Sequence, residues 1–272
     1  MKRRTAGTPR YELRARSVPP AEALPIPLVH VTAVGIAREI LGSRQLETRR
    51  CDVFNHQLLY FFALKPAYGL KDGDEKSHQI NRFPFAFVVR PEAVETPFHV
   101  YPFDTGAAAK GIFAAADPYI FLDDYELLPE HSAIAGHIAW AFGCSQAYYD
   151  GDLRLEIAQG VPDFETSTRG YLDVARMSAS GSNQPDARAS AIEVACNHHV
   201  RLKGNVLLAV IPLQYLEGES GQEPNQDFLA KLKAEDIPYK TYDSKANLTP
   251  NSFRAEITKI IRAFYEGPPK RW

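Results

Sequence analysis

The apolar positions of the chain fall into short runs separated by chain breakers, a pattern that predicts many short strands with helices between them. Leu28 to Val31 follows a proline-rich stretch and is typical of a strand. The aromatic run from Leu58 to Ala63 predicts a buried strand that ends at Lys65-Pro66. Further strands are predicted at 83–89, 98–103, 188–196 and 205–213.

Helical spacing appears between these runs. Thr32 is the expected N-cap of a short helix that ends at Gly42. Longer helices are predicted within 127–149, 227–233 and 251–265, whereas 150–176 is polar and is expected to be an irregular surface segment. Because strands and helices do not alternate regularly and no Gly-rich dinucleotide fingerprint occurs, the pattern favours an α+β fold over a Rossmann fold.

Composition narrows the class of protein. The chain has 272 residues, 45% hydrophobic residues and a net charge of -2, which is ordinary for a globular enzyme. Its apolar runs are shorter than the roughly 20 residues of a membrane-spanning helix, so we expect no membrane partner. The basic N-terminus lacks the apolar region of a secretory signal, so we expect a cytoplasmic location. The three cysteines lack metal-ligand spacing and their odd number fits a reducing compartment, so we expect no metal.

The N-terminal residues are strongly basic. Met1 to Arg16 contains six basic residues and one acid, Glu12, and several prolines follow before residue 28. This composition predicts a flexible, basic, Pro-rich arm over 1–27, either a solubilising tail or a segment that binds nucleic acid or an acidic partner. A single catalytic domain is then expected over 28–272.

One carboxylate interrupts an apolar run late in the chain. Glu193 lies between Ile192 and Val194, after a loop of small and polar residues from Met177 to Ala187. Alternation along an edge strand would turn this side chain to solvent, where it needs no function. A carboxylate held in an apolar segment can instead stabilise the positive charge that develops on a sugar when its glycosidic bond breaks.

Three motifs stand in a fixed order with this glutamate. They are Val29-His30-Val31-Thr32, then Leu59-Tyr60-Phe61-Phe62 with Pro66-Ala67-Tyr68, and last Arg188-x-x-x-Ile192-Glu193. This order resembles the ADP-ribosyltransferase superfamily, most closely its bacterial toxin-type members that modify nucleic acid. The resemblance extends in scattered motifs over residues 28 to 216. It implies an ADP-ribosyltransferase-like fold, with two small antiparallel or mixed sheets around an NAD cleft and flanking helices.

The resemblance also implies a role for each candidate residue and an activity. Glu193 and Arg50 would be catalytic, and the NAD-binding residues would be His30, Thr32, Arg49, Tyr60 and Tyr68, with Tyr60 and Tyr68 competing to stack on nicotinamide. The acceptor would be bound by Ser180, Asn183 and Arg188. NAD would be the co-substrate, and DNA or RNA, rather than protein, would be the acceptor of a toxin or phage-defence enzyme with an antitoxin partner.

Two features of the sequence differ from the toxins, and two other functions are compatible with the same motifs. The loop before Glu193 is serine-rich rather than basic, and residues 107 to 176 have no obvious counterpart in the toxins. An NAD glycohydrolase would release nicotinamide without a macromolecular acceptor. A non-catalytic nucleotide or nucleic-acid binding module would use the same cleft, with Glu193 as a surface residue.

Overall fold

The computed structural model describes residues 1–21, 25–67, 69–70, 73–113, 119–178, 186–217, 223–244 and 248–266. The strands in this part of the chain are β1 Leu28–Ala33, β2 Gln45–Leu46, β3 Arg49–Cys51, β4 His56–Ala63, β5 Pro84–Val89, β6 His99–Tyr101, β7 Glu193–Cys196, β8 Val200–Arg201, β9 Val206–Pro212 and β10 Tyr239–Tyr242. The helices are α1 Glu12–Arg16, α2 Val34–Ser43, α3 Thr105–Ala109, α4 His131–Ala141, α5 Ser145–Asp150, α6 Thr166–Arg176, α7 Leu213–Glu217, α8 Gln226–Ala234 and α9 Arg254–Glu266. Short 3-10 helices occur at Ile80–Arg82, Pro91–Ala93, Leu122–Tyr125, Leu155–Gly160, Ala187–Ala189 and Pro250–Phe253.

The first of two compact units contains the sheet that carries Glu193. It is built from three segments of the chain, Met1–Ile26, Arg49–Ala63 and Thr96–Asn197. Its strands pair antiparallel in the order β3–β4–β7–β6. β7 therefore lies between β4 and β6, with a neighbour on each side.

The second unit contains further strands and has an apolar core. It comprises Pro27–Thr48, Leu64–Glu95 and His198–Trp272. Its strands follow the order β10–β9–β5–β1, where the β10–β9 pair is parallel and the others are antiparallel, while β2 pairs with β8. Alternate residues of three strands form a core with residues of α9 and its preceding turn: Val29, Val31, Ala86, Val88, Leu208, Val210, Phe253, Ile257 and Ile261.

The α+β class predicted from the sequence is confirmed, and strands occur in every apolar run that predicted one. The structure divides into two compact units, and the single catalytic domain expected over 28–272 stays a prediction. Each unit is assembled from three segments that are distant in sequence.

Three helix predictions differ from the structure. Thr32 is a buried residue of β1, Ala33 holds the N-cap position of α2, and the chain leaves this helix at Arg44, whose φ of 60° is left-handed. The single helix expected within 127–149 is divided into α4 and α5 near Gly143, whose φ is 82°. The segment expected to be irregular contains α6, whose buried face includes Ser167, Thr168 and Tyr171.

The basic N-terminal residues are part of the first unit, which differs from the flexible arm that their charge predicts. Leu13 on α1 is fully buried, and a Cβ added at Gly136 on α4 would overlap the carbonyl oxygen of Ser17. Four arginines of this segment pair with acids later in the chain: Arg3 with Asp123, Arg4 with Asp124, Arg14 with Glu126 and Arg16 with Glu165. The charge pattern alone could not show that these four arginines have acidic partners.

Arg4→Met tests whether the N-terminal segment is integral to the fold. Arg4 Nη2 lies 2.6 and 2.7 Å from the two carboxylate oxygens of Asp124, which is fully buried. Removal of the guanidinium leaves a buried carboxylate without its counter-charge. We therefore expect the free energy of unfolding, measured by denaturant titration, to fall by about 3 kcal/mol. Arg38→Met is the matched control, because the Arg38–Glu39 pair is exposed on both sides and is expected to contribute less than about 0.5 kcal/mol. Equal effects of the two substitutions would contradict an integral role for the segment.

Candidate active site

A tyrosine hydroxyl fixes the chain just before Glu193. Tyr148 on α5 accepts a hydrogen bond from the Ile192 amide at 2.9 Å and donates one to the Ala63 carbonyl at 3.0 Å. The Ala63 amide in turn donates to the Ile192 carbonyl at 2.9 Å. The end of β4 and the start of β7 are therefore held together at the residue that precedes the glutamate.

Strand register places several functional groups on one face of this sheet. Residues that lie directly opposite each other in an antiparallel pair project to the same face. The pairs are Phe62 and Tyr101 with Glu193, and Tyr60 and His99 with Ala195. The small Ala195 thus separates Tyr60 from His99, and this common face is called the Glu193 face below.

The Glu193 side chain is buried and held by three hydrogen-bond contacts. It is 2% exposed. Thr105 binds both carboxyl oxygens, through its amide at 3.1 Å and its hydroxyl at 2.6 Å, and His99 Nε2 lies 3.2 Å from Oε1. Glu193 is therefore not a solvated residue on an edge strand, because β7 has a neighbour on each side and the carboxyl group is out of solvent.

Burial determines the protonation states of Glu193 and His99. Loss of solvent raises the pKa of Glu193 to about 8, although the hydrogen bonds from Thr105 lower it in part. Burial also lowers the pKa of His99 to about 3. Both groups are therefore neutral near pH 7, and the His99–Glu193 contact is a hydrogen bond between neutral groups rather than an ion pair. A strongly shifted carboxyl group of this kind is typical of functional sites.

A second carboxyl group lies close to the first. Asp104 caps α3 by accepting from the Ala107 amide at 2.9 Å, and its own amide donates to the Arg188 carbonyl at 3.0 Å. Burial, followed by the nearby Glu193 charge, raises the pKa of Asp104 to about 6. A charge on Glu193 thus opposes the ionisation of Asp104.

Aromatic rings enclose the histidine. The His99 ring centroid lies 4.3 Å from that of Phe54, 5.0 Å from Tyr101 and 5.8 Å from Tyr60. The Arg3 guanidinium in turn lies 4.8 Å above the Phe54 ring. Packing of these rings confines the imidazole.

Of the two tyrosines predicted to stack on nicotinamide, Tyr60 lies in the described part of the chain. Its side chain is half-buried on the Glu193 face, and its hydroxyl donates to Cys51 Sγ at 2.9 Å. Burial, with a smaller contribution from the Glu193 charge, raises the pKa of the Tyr60 phenol far above its usual value. Tyr60 is therefore a neutral phenol whose ring lies near the carboxyl group.

The two arginines predicted to act on NAD project to opposite faces of β3. Arg49 pairs with Leu58 and Arg50 with Gln57. Because Leu58 and Tyr60 share a face of β4, Arg49 belongs to the Glu193 face, and Arg50 projects to the other face, where it donates to Asn55. This register favours Arg49 over Arg50, and it does not support the catalytic role predicted for Arg50.

Other predicted residues lie elsewhere or outside the described chain. Arg188 forms an ion pair with Asp186 at 2.7 Å, two residues away. His30 is half-buried and Thr32 is buried, and both lie on β1 in the second unit. Tyr68, Ser180 and Asn183 are outside the described residues.

His99 and Thr105 are the contacts of Glu193 that the sequence analysis did not assign. The turn from Tyr101 to Gly106 does stand out in the sequence by its Asp and Thr, but nothing in it shows a contact with Glu193. His99 gives no signal, because a single histidine in an apolar strand most often has a structural role.

The described parts of the chain lack a metal-ligand cluster and a membrane-spanning helix. No group of three or more His, Cys, Asp or Glu side chains in those parts is arranged to hold a metal ion. No helix in them has the length and apolar character needed to cross a membrane.

The structure is similar to that of DarT from Thermus sp. 2.9. DarT in complex with NAD+ is matched over 82% of this chain and 98% of DarT, with 12% identity and a TM-score of 0.37. DarT in complex with ADP-ribosylated ssDNA is matched over 83% of this chain and 98% of DarT, with 10% identity and a TM-score of 0.42. No protein-family model and no curated protein sequence matches the chain. With TM-scores below 0.5, function has to be inferred from the residues of the chain itself.

The raised pKa of Glu193 predicts how stability depends on pH. Between the ordinary glutamate pKa of 4.5 and the folded value of about 8, the folded protein binds the Glu193 proton more tightly than the unfolded chain does. The contribution of Glu193 to stability is therefore complete below pH 4.5 and is lost as the pH rises through 8. Glu193→Gln removes this titration, so we expect the stability of the variant relative to the unmodified protein to increase from pH 5 to pH 8 in urea unfolding. A constant difference over this range would show that the carboxyl group is already ionised at pH 5.

Proposed function

We propose that the chain is an NAD-dependent ADP-ribosyltransferase that transfers ADP-ribose from NAD to a macromolecule, with DNA or RNA as the favoured acceptor. The observation that carries this proposal is the carboxyl group of Glu193, which is buried and hydrogen-bonded on one face with Tyr60 and Arg49. The acceptor class and an antitoxin partner rest on the resemblance in the order of motifs.

The reaction requires a negative charge beside a sugar. The bond between the anomeric carbon and nicotinamide breaks, nicotinamide leaves with the bonding electrons, and positive charge develops on the ribose. An ionised Glu193 stabilises that charge more strongly than it stabilises the ground state, because it acts where water is excluded. The acceptor nucleophile then bonds to the anomeric carbon and loses its proton.

The raised pKa of Glu193 fits this reaction. A buried carboxyl group that is neutral without substrate adds no repulsion toward the NAD phosphates. A positively charged nicotinamide ring near the carboxyl group favours its ionised form. The carboxylate is thus expected to form when the substrate that needs it has bound.

Arg49 is proposed to bind the NAD pyrophosphate. A guanidinium offers paired N–H donors that match two phosphate oxygens. Its neighbour Arg50 has the same charge but projects to the opposite face of β3, so the chain supplies its own control. His30 and Thr32 remain proposed contacts of the NAD ribose.

Glu193→Gln is the decisive substitution. We expect it to lower the rate of nicotinamide release about a hundredfold or more, because the charge that stabilises the transition state is lost, while NAD binding and folding are retained. Glu95→Gln is the matched control, since Glu95 is exposed and is expected to leave the rate unchanged. Unchanged turnover in Glu193→Gln would refute a catalytic role for this residue.

The acceptor is identified by incubation of the protein with adenylate-labelled NAD in separate reactions that contain single-stranded DNA, RNA or protein. Label on single-stranded DNA or RNA supports the proposal, whereas label on protein alone changes the acceptor class. Free ADP-ribose in every reaction would identify an NAD glycohydrolase. NAD binding without cleavage would identify a binding module.

The two arginines give a second test. Arg49→Ala is expected to raise the KM for NAD about tenfold or more, the loss expected for one charge-assisted hydrogen bond. Arg50→Ala removes the same charge from the other face and is expected to change KM by less than about twofold. Equal effects, or a larger effect of Arg50→Ala, would show that the register of β3 does not determine which arginine meets the substrate.

A further inference from the structure

The contact between His99 and Glu193 joins two strands diagonally. His99 pairs with Ala195, two residues beyond Glu193, so the imidazole extends along the sheet face toward the carboxyl group. Its Nε2 lies 3.2 Å from Glu193 Oε1, and its side chain is 1% exposed. The other ring nitrogen, Nδ1, is buried and has no hydrogen-bond partner among the described residues.

The donors and acceptors of this pair fit two protonation states. The Thr105 amide can only donate to Oε2, and the Thr105 hydroxyl donates to Oε1. When the carboxyl group is neutral, its proton on Oε1 is donated to Nε2, and the ring proton is on Nδ1. When the carboxylate is ionised, the ring must carry its proton on Nε2 in order to donate to it. A neutral imidazole satisfies both states by changing its tautomer.

We propose that His99 is a positioning residue through which Glu193 gains and loses its proton, by exchange between the two neutral tautomers of the imidazole. Glu193 Oε1–H transfers its proton to Nε2, and Nδ1 transfers its own proton to a water molecule that reaches this buried atom when the enclosing aromatic rings move apart. The products are a carboxylate hydrogen-bonded by Nε2–H, a neutral ring with a lone pair on Nδ1, and one hydronium ion. The imidazole never becomes a cation in this exchange.

The charged and titratable groups around the pair are compatible with a neutral ring. The charge of Glu126 raises the pKa of His99, and the charge of Arg3 lowers it. Burial has the largest effect and lowers this pKa. Tyr60, Tyr101 and Asp104 lie near Glu193, and the pKa of each is raised, chiefly by burial. None of these neighbours supplies the positive charge that would ionise Glu193 before substrate binds.

This proton exchange through His99, called the relay below, rests on the proposed function for its role in turnover. The tautomer of His99 can nevertheless be measured without NAD. Nitrogen NMR of the protein labelled with 15N-histidine distinguishes a protonated from an unprotonated Nδ1. We expect His99 to carry its proton on Nδ1 below pH 7 and on Nε2 well above pH 8, while in Glu193→Gln it keeps one tautomer throughout. One tautomer at every pH in the unmodified protein, or conversion to imidazolium near neutral pH, would overturn the proposal.

His99→Gln tests the same step in turnover. The glutamine amide can still donate to Glu193 but cannot pass a proton on, so we expect kcat to fall about a hundredfold and the KM for NAD to stay within about twofold. His78→Gln is the matched control, an exposed histidine of the second unit, and is expected to leave both constants unchanged. A kcat near that of the unmodified protein would overturn the relay.

The two measurements separate failure of the relay from failure of the proposed function. A tautomer change in a protein that never cleaves NAD supports the relay and refutes the proposed function. NAD cleavage that needs Glu193 but proceeds with a fixed His99 tautomer supports the proposed function and refutes the relay. Because the NMR experiment uses the unmodified chain, it is informative even if His99→Gln does not fold.

Discussion

Burial of the Glu193 carboxyl group is the interaction on which the first unit depends most. A carboxylate out of solvent is costly, and the structure meets this cost with three hydrogen-bond contacts and a neutral state near pH 7. The contacts come from β6 and from the turn that opens α3, so the carboxyl group ties β7 to chain that lies about ninety residues earlier.

The N-terminal segment extends this arrangement outward. Its arginines pair with acids at 123–126 and 165, and Arg3 lies over Phe54, which in turn packs against His99. Ion pairs that are partly buried keep more of their strength in salt than exposed pairs do. The order of the aromatic rings around His99 therefore depends on residues that composition alone would assign to a solubilising tail.

The sequence could predict the features that local patterns determine. Apolar runs located the strands, and an acid between Ile192 and Val194 identified Glu193 as unusual. The His99 contact could not be predicted, because it depends on the pairing of β6 with β7 across 94 residues. The same holds for Arg49 and Arg50, which differ only by the face of β3 to which each projects. α6 escaped detection because much of its buried face consists of small and hydroxyl-bearing residues, which carry little hydrophobic signal.

The hydroxyl group of Tyr148 has a consequence for which residues can replace this tyrosine. One oxygen atom serves as acceptor for Ile192 and donor for Ala63, positions that are 44 and 85 residues away in the chain. A phenylalanine at this position would leave two backbone groups without partners, so few substitutions are compatible with the bridge. One side-chain atom thus joins three parts of the chain that are far apart in sequence, a constraint that no linear motif shows.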